Sequence, residues 1–275
     1  MFEVSQLSQA QDSAPQRNLL QVNNLNVRLG DLVLARDISF QLQPGQVNVI
    51  LGPNGTGKST LLKTLFGDIK IVSGEIQYGN NVLSGKSLIE WRTKFGYMPQ
   101  DIHLDVNMTV IEVVLLGRLD ALSMRIETKM LQEALSILKS IGLEHLASRD
   151  VRTLSGGQCQ MILFAQALMR CPEILMLDEP VSALDLHYQH VLLNHLVTQT
   201  KKQNYTTLMV LHDLNLAAQY ADNLLILKQG ELRAFGSPKE LLTSELIHEL
   251  YHVEADVLTD ENGTPFVRTR RPSAA

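Results

Sequence analysis

The sequence predicts an α/β fold: a mixed sheet with an N-terminal antiparallel β piece, interrupted by a helical insert subdomain. Three observations point there. Strand-like and helix-like runs alternate after residue 173. Short runs with partial period-2 alternation crowd residues 19–42. Between these two regions, a stretch of roughly residues 101–165 carries helical apolar spacing.

Taken in order, residues 1–17 are polar and Gln/Ser-rich, which predicts a disordered extension and no signal peptide. Three short strands are expected at 25–29, 32–34 and 38–42, with Gly30-Asp31 as a turn. Pro44-Gly45 turns the chain into the apolar strand Val47–Leu51. A glycine-rich loop and a helix follow. Residues 74–98 read as a second small β-rich piece, with strands at 75–78 and 95–98. In the insert, helices are expected at 110–117, 127–141 and 155–170. The middle one presents Leu131, Ala134, Leu135 and Leu138 on one face and stops at Gly142. Strands at 174–177 and 206–211, helices at 187–202 and 214–220, and a hairpin about Gln229-Gly230 come next. One helix is expected over 238–251, and residues 266–275 read as a loose basic tail. The catalytic core is then 18–100 plus 166–265.

Composition excludes several classes. The net charge is −5 and aromatics are 5%, so a basic, ring-bearing nucleic-acid surface is not expected. No apolar run approaches the roughly 20 residues of a spanning helix. Cys159 and Cys171, the two cysteines, form no C-x-x-C pair, are read as lying in apolar surroundings and are expected as reduced core thiols.

The glycine loop is Gly52-Pro53-Asn54-Gly55-Thr56-Gly57-Lys58-Ser59-Thr60, which matches G-x-x-x-x-G-K-[ST] between a strand and a helix. Glycines let backbone N–H groups curl toward a phosphate, and the helix N-terminus adds partial positive charge. Lys58 is the candidate for the β/γ-phosphates and Ser59 for Mg2+, which makes the fold a P-loop NTPase core. Asp178-Glu179 ends a buried strand, where open α/β sheets place ligands. Asp178 can hold Mg2+, and Glu179 can orient or deprotonate a water. Two solvated carboxylates in a loop would look the same locally.

Leu154-Ser155-Gly156-Gly157-Gln158 opens the third insert helix, and Ser155 alone would be an ordinary N-cap. Together with Gln100, Ser182-Ala183-Leu184-Asp185 and His212, in this order, the pentad resembles the signature of ABC-type ATPases. The likeness covers roughly residues 18–250. It implies ATP bound between the glycine loop of one copy and Ser155, Gly156, Gly157 and Gln158 of a second copy, paired head to tail. It also implies roles: Glu179 polarises the attacking water, His212 contacts the γ-phosphate, Gln100 contacts Mg2+ or water, and Asp185 communicates across the dimer.

The stretches 113–118, 211–217 and 237–257 look like ATPases of iron–siderophore, haem and cobalamin importers. Such a subunit lies at the cytoplasmic face of the inner membrane, peripheral, under transmembrane permease subunits served by a substrate-binding protein. Residues about 101–120 are the candidate docking surface, although the same residues would serve ordinary helix packing. A divalent-metal importer is the nearest alternative. A soluble non-transport ABC ATPase is disfavoured by the single glycine loop and the short gap from Gln100 to Ser155. Two departures stand out. Leu29 precedes Gly30 where the family carries an adenine-stacking aromatic, which predicts a looser grip on the base. Cys159 follows the signature where a basic residue is usual.

Overall fold

The computed structural model describes residues 18–30, 32–85, 87–100, 104–121 and 127–271. The expected N-terminal extension, and the tail beyond 271, lie outside these residues. In chain order the elements are β1 (Leu20–Leu29), β2 (Leu32–Leu42), β3 (Val47–Leu51), α1 (Lys58–Phe66), β4 (Ser73–Tyr78), β5 (Asn81–Val82), α2 (Leu88–Thr93) and β6 (Phe95–Met98). The helical layer holds α3 (Val110–Leu115), a 3-10 turn (Leu116–Ala121), α4 (Thr128–Ser140) and α5 (Gly156–Met169). There follow β7 (Ile174–Asp178), α6 (Leu186–Gln203), β8 (Thr206–Val210), α7 (Leu214–Tyr220), β9 (Asn223–Lys228), β10 (Glu231–Gly236), α8 (Pro238–Leu241), α9 (Ser244–Tyr251), β11 (Ala255–Thr259) and β12 (Pro265–Thr269).

Three sheets result among the described residues. One is antiparallel, in the order β2-β1-β4-β5. The central one runs β10-β9-β3-β8-β7-β6 and is parallel except for the β9–β10 hairpin. Strands β11 and β12 form the third. The central strands are buried on both faces, as parallel strands between two layers must be. Val47, Val49, Leu175, Leu177, Met209, Leu224 and Ile226 pack toward the helical side. Ile50, Ile174, Met176, Leu208, Val210, Leu225 and Leu227 pack toward α1 and the antiparallel sheet. Each such buried aliphatic side chain contributes about 1.5–3 kcal/mol.

Several expectations need correction. β1 and β2 are two long strands, not three short ones. Register shifts between Val22 and Arg28, with Asn24 and Asp37 at positive φ, break the period-2 pattern that would have announced them. α2 falls inside the supposed β-rich piece, anchored by buried Trp91, whose Nε1 donates to Leu65 O at 2.9 Å. β6 pairs in parallel with β7 and so belongs to the central sheet. α4 buries Met130, Ala134 and Leu138, while Leu131 is exposed. The expected boundary at 165/166 falls inside α5. The helix over 238–251 is two helices, because the Thr243 hydroxyl accepts from Leu246 N at 3.2 Å and starts a new one. Residues 265–269 are strand rather than tail, and Asp256 pairs with both Arg268 and Arg270. Cys171 is exposed beside Arg118 and Cys159 is half-buried, so neither is a core thiol.

Candidate nucleotide site

Strands β3 and β7 flank β8, so their C-terminal ends open on one rim of the sheet. The loop leaving β3 is shaped by its glycines. A Cβ at Gly52 would lie 2.2 Å from Leu227 O, and one at Gly57 (φ +94) 2.7 Å from Leu34 O. Only glycine fits either place. Thr56 Oγ1 closes the loop by donating to Pro53 O at 2.9 Å. Lys58 opens α1 and is buried, with Nζ donating to Gly52 O at 2.8 Å and Pro53 O at 3.0 Å. Burial lowers the pKa of its ammonium, while the Glu179 and Asp178 carboxylates oppose that shift.

Ser59 Oγ donates to Asp178 Oδ1 at 2.9 Å, joining the loop to the end of β7. Asp178 is 1% exposed. Burial raises its carboxyl pKa, the Ser59 hydrogen bond opposes the rise, and neighbouring Glu179 adds to it. Glu179 adopts φ 52, a left-handed conformation that costs a non-glycine residue about 1–3 kcal/mol. Its Oε1 lies 2.6 Å from His212 Nε2. His212 lies two residues past the end of β8. The next residue, Asp213, caps α7 by accepting from Asn215 N at 2.7 Å and Leu216 N at 3.0 Å. Asn215 in turn exchanges two hydrogen bonds with the backbone of Val267 in β12. Asn54, Gly55, Gly57, Lys58, Ser59, Thr60, Gln100, Glu179, His212 and Leu34 surround one open cavity of about 520 Å³. Glycine loop, buried cation, paired oxygens and a glutamate–histidine contact make a phosphate-handling site.

Ser155, Gly156, Gly157 and Gln158 lie elsewhere. Ser155 caps α5: its Oγ accepts from Gln158 N at 3.2 Å, and Gln158 Oε1 accepts from Ser155 N at 3.0 Å. The first helical N–H groups, at Gly156 and Gly157, have no carbonyl within the helix to bond. These residues line a separate cavity of about 370 Å³ with Leu184, Asp185 and Tyr188. Asp185 Oδ1 accepts from Tyr188 N at 2.9 Å and caps α6. Within one chain, these segments do not line the glycine-loop cavity.

The family model for ABC transporters matches residues 35–182, from β2 to the turn after Glu179. The chain belongs to the ABC transporter family, as its ATP-binding domain. ATP is therefore the nucleotide of this cassette, whose relatives form a family of ATPases. It is 39% identical to the hemin import ATP-binding protein HmuV of Hahella chejuensis, over 87% of this chain and 92% of that protein. It is 36% identical to HmuV of Shewanella denitrificans, over 90% of this chain and 100% of that one. A solved structure described as a metal-chelate type ABC transporter, in an inward-facing conformation, superposes with a TM-score of 0.78 at 29% identity. That match covers 93% of this chain and 98% of the other.

Of the residues singled out in the sequence, the structure of this cassette brings the loop, Asp178, Glu179, His212 and Gln100 together and sets the signature and Asp185 apart. Gln100 also borders a further cavity of about 560 Å³, shared with Asp105, Arg152 and Cys159. Leu29 is 69% exposed at the hairpin tip, and Leu34, which sequence reasoning passed over, is the leucine that lines the glycine-loop cavity. Nothing in the local pattern distinguishes Leu34 from its neighbours. Gln160 was also missed, although a polar residue inside an otherwise apolar helix is a readable signal.

Proposed function

We propose that this chain is the ATP-hydrolysing subunit of an importer for an iron-bearing chelate of the hemin class, working with Mg2+ as a head-to-tail dimer. The observation that carries the reading is the split site. One cavity holds the glycine loop, Glu179 and His212, while the signature faces a different one. A second copy that lends Ser155, Gly156 and Gly157 would complete each site, and the capped N-terminus of α5 suits a phosphate. The near full-length likeness to hemin import ATP-binding proteins supports the substrate class.

The donor set fits the metal. Ser59 Oγ and Asp178 Oδ1 are hard oxygen ligands in contact, and buried Asp178 is a charge that a cation would compensate. Ser59 and Asp178 would hold Mg2+, with Gln100 at the rim. When bound, the ion neutralises charge on the transferring phosphoryl group. Lys58 exchanges its two carbonyl partners for phosphate oxygens. Glu179 orients and polarises the attacking water. His212, already in contact with Glu179, holds that carboxylate and reaches toward the γ-phosphate. Turning a split site into a whole one makes ATP binding close the dimer and hydrolysis release it.

No helix among the described residues is long and apolar enough to cross a membrane. A peripheral position under permease subunits, fed by a substrate-binding protein, suits this. Within the proposed docking stretch Val113, Val114 and Leu115 are buried in the core, and Asp105, Val106, Asn107 and Glu112 are exposed residues that a permease could meet. The deciding experiment is Glu179→Gln. ATP turnover should fall by about a hundredfold or more while ATP still binds and accumulates a stable dimer. Turnover at the wild-type rate overturns the assignment.

A further inference from the structure

Gln160 sits in the second turn of α5, two residues past the signature, and is 7% exposed. Its single amide makes three hydrogen bonds. Nε2 donates to Glu179 O at 2.9 Å and to Ser182 Oγ at 3.1 Å, and Oε1 accepts from Ala183 N at 3.1 Å. The Glu179 carbonyl is gripped again by the Ser182 hydroxyl at 3.1 Å and by Ser182 N at 3.3 Å. These bonds converge on a residue whose φ is 52, a conformation that persists only when its surroundings over-determine it. A second contact joins the same two segments: a Cβ on Gly157 would lie 2.9 Å from Ala183 O. The start of α5 and the chain after Glu179 are thus joined at both ends of one helical turn, by the Gln160 side chain at one end and by the close packing of Gly157 on Ala183 at the other.

We propose that Gln160 is a positioning residue that holds Glu179 in its strained conformation and ties it rigidly to the signature helix of the same chain. The inference rests on the reading of Glu179 as the residue that orients water. In a head-to-tail dimer the signature serves the partner's ATP and Glu179 serves the chain's own. One amide then makes each subunit's hydrolytic carboxylate sensitive to closure of the opposite site. Buried hydrogen bonds of this kind are costly to leave half-made, and a misplacement near 1 Å at the reacting centre costs up to about a hundredfold in rate.

Gln160→Glu tests this, since it keeps the shape and the acceptor for Ala183 N but replaces the donor aimed at Glu179 O. The expected result is a kcat for ATP lowered about tenfold or more, with KM within about threefold. The deficit should narrow as pH falls, because a protonated carboxyl regains one donor. A wild-type kcat, or a raised KM with kcat intact, overturns the proposal. Should this variant fail to fold, Ser182→Ala removes the second arm from an exposed position. A lowered kcat at constant KM then supports the proposal, and unchanged kinetics overturn it. Glu179→Gln runs alongside. If it retains turnover, the reading of Glu179 fails. If it is inactive while Gln160→Glu behaves as wild type, only the role given to Gln160 fails.

Discussion

The two halves of the proposed ATP site are built in opposite ways. The glycine-loop half is gathered from the rim of the central sheet, and its groups already touch: Ser59 with Asp178, Glu179 with His212, Lys58 with its own loop. The signature half is one helix start, whose cap bonds run between Ser155 and Gln158 and whose glycines face a cavity of their own. The first half can hold a nucleotide within one chain. The second can act only on something brought to it. In the proposed dimer, binding and turnover then belong to different numbers of chains.

The comparison is broken most directly at Lys58. Replacing it with alanine removes charge-assisted bonds worth about 1.5–3 kcal/mol each, so ATP affinity should fall by about tenfold to a hundredfold or more. Titration with a fluorescent nucleotide checks this, and an unchanged affinity would remove the glycine loop from the site. Gly157→Ala attacks the other half. The new methyl meets Ala183 O at 2.9 Å and pushes the signature off its seat. Nucleotide binding should stay within about threefold while hydrolysis drops about tenfold. Loss of both together would mean that the halves are not separable.

The smallest effect sharpens what the first half costs. In metal-free buffer Asp178→Asn should stabilise the protein at neutral pH, with a melting temperature higher by about 2–4 °C, the response to about 1 kcal/mol at this size. The sign follows from burial, which holds the Asp178 pKa above its ordinary value of 3.8. Below that value both folded and unfolded chains are protonated there, and the variant gains nothing. Between that value and the raised one the unfolded chain ionises while the folded one stays protonated, so the wild type loses stability relative to the variant as pH rises, and the loss is complete once pH passes the raised value. A gap independent of pH between acid and neutral conditions would contradict this origin. The same variant should hydrolyse ATP poorly even with excess Mg2+.

The two halves also differed in how legible they were. Glycines, a lysine and a strand-end aspartate are demanded by local geometry, so the loop and Asp178 could be read from the chain. The signature was found by its order among other motifs, since a Ser cap followed by two glycines is locally ordinary. The roles of Leu34 and Gln160 were missed for a different reason. Leu34 enters because its strand crosses the loop, and Gln160 because α5 packs on the turn after β7, both products of tertiary packing. The fold shows the same divide. Buried parallel strands read cleanly as apolar runs. The bulged hairpin, the short helix around Trp91 and the C-terminal strand pair did not, because register shifts, burial of one indole and long-range ion pairs decided them.

The clasp between Asn215 and Val267 sets an order of events during synthesis. The helix that begins just after His212 is tied by a segment made 52 residues later. At about 5–20 residues per second, a nascent chain has its glycine loop, Glu179 and signature in hand for several seconds before α7 is clasped. The histidine end of the site is therefore the last to be secured. A chain cut short before β11 would emerge with its phosphate loop built and the helix after His212 unclasped.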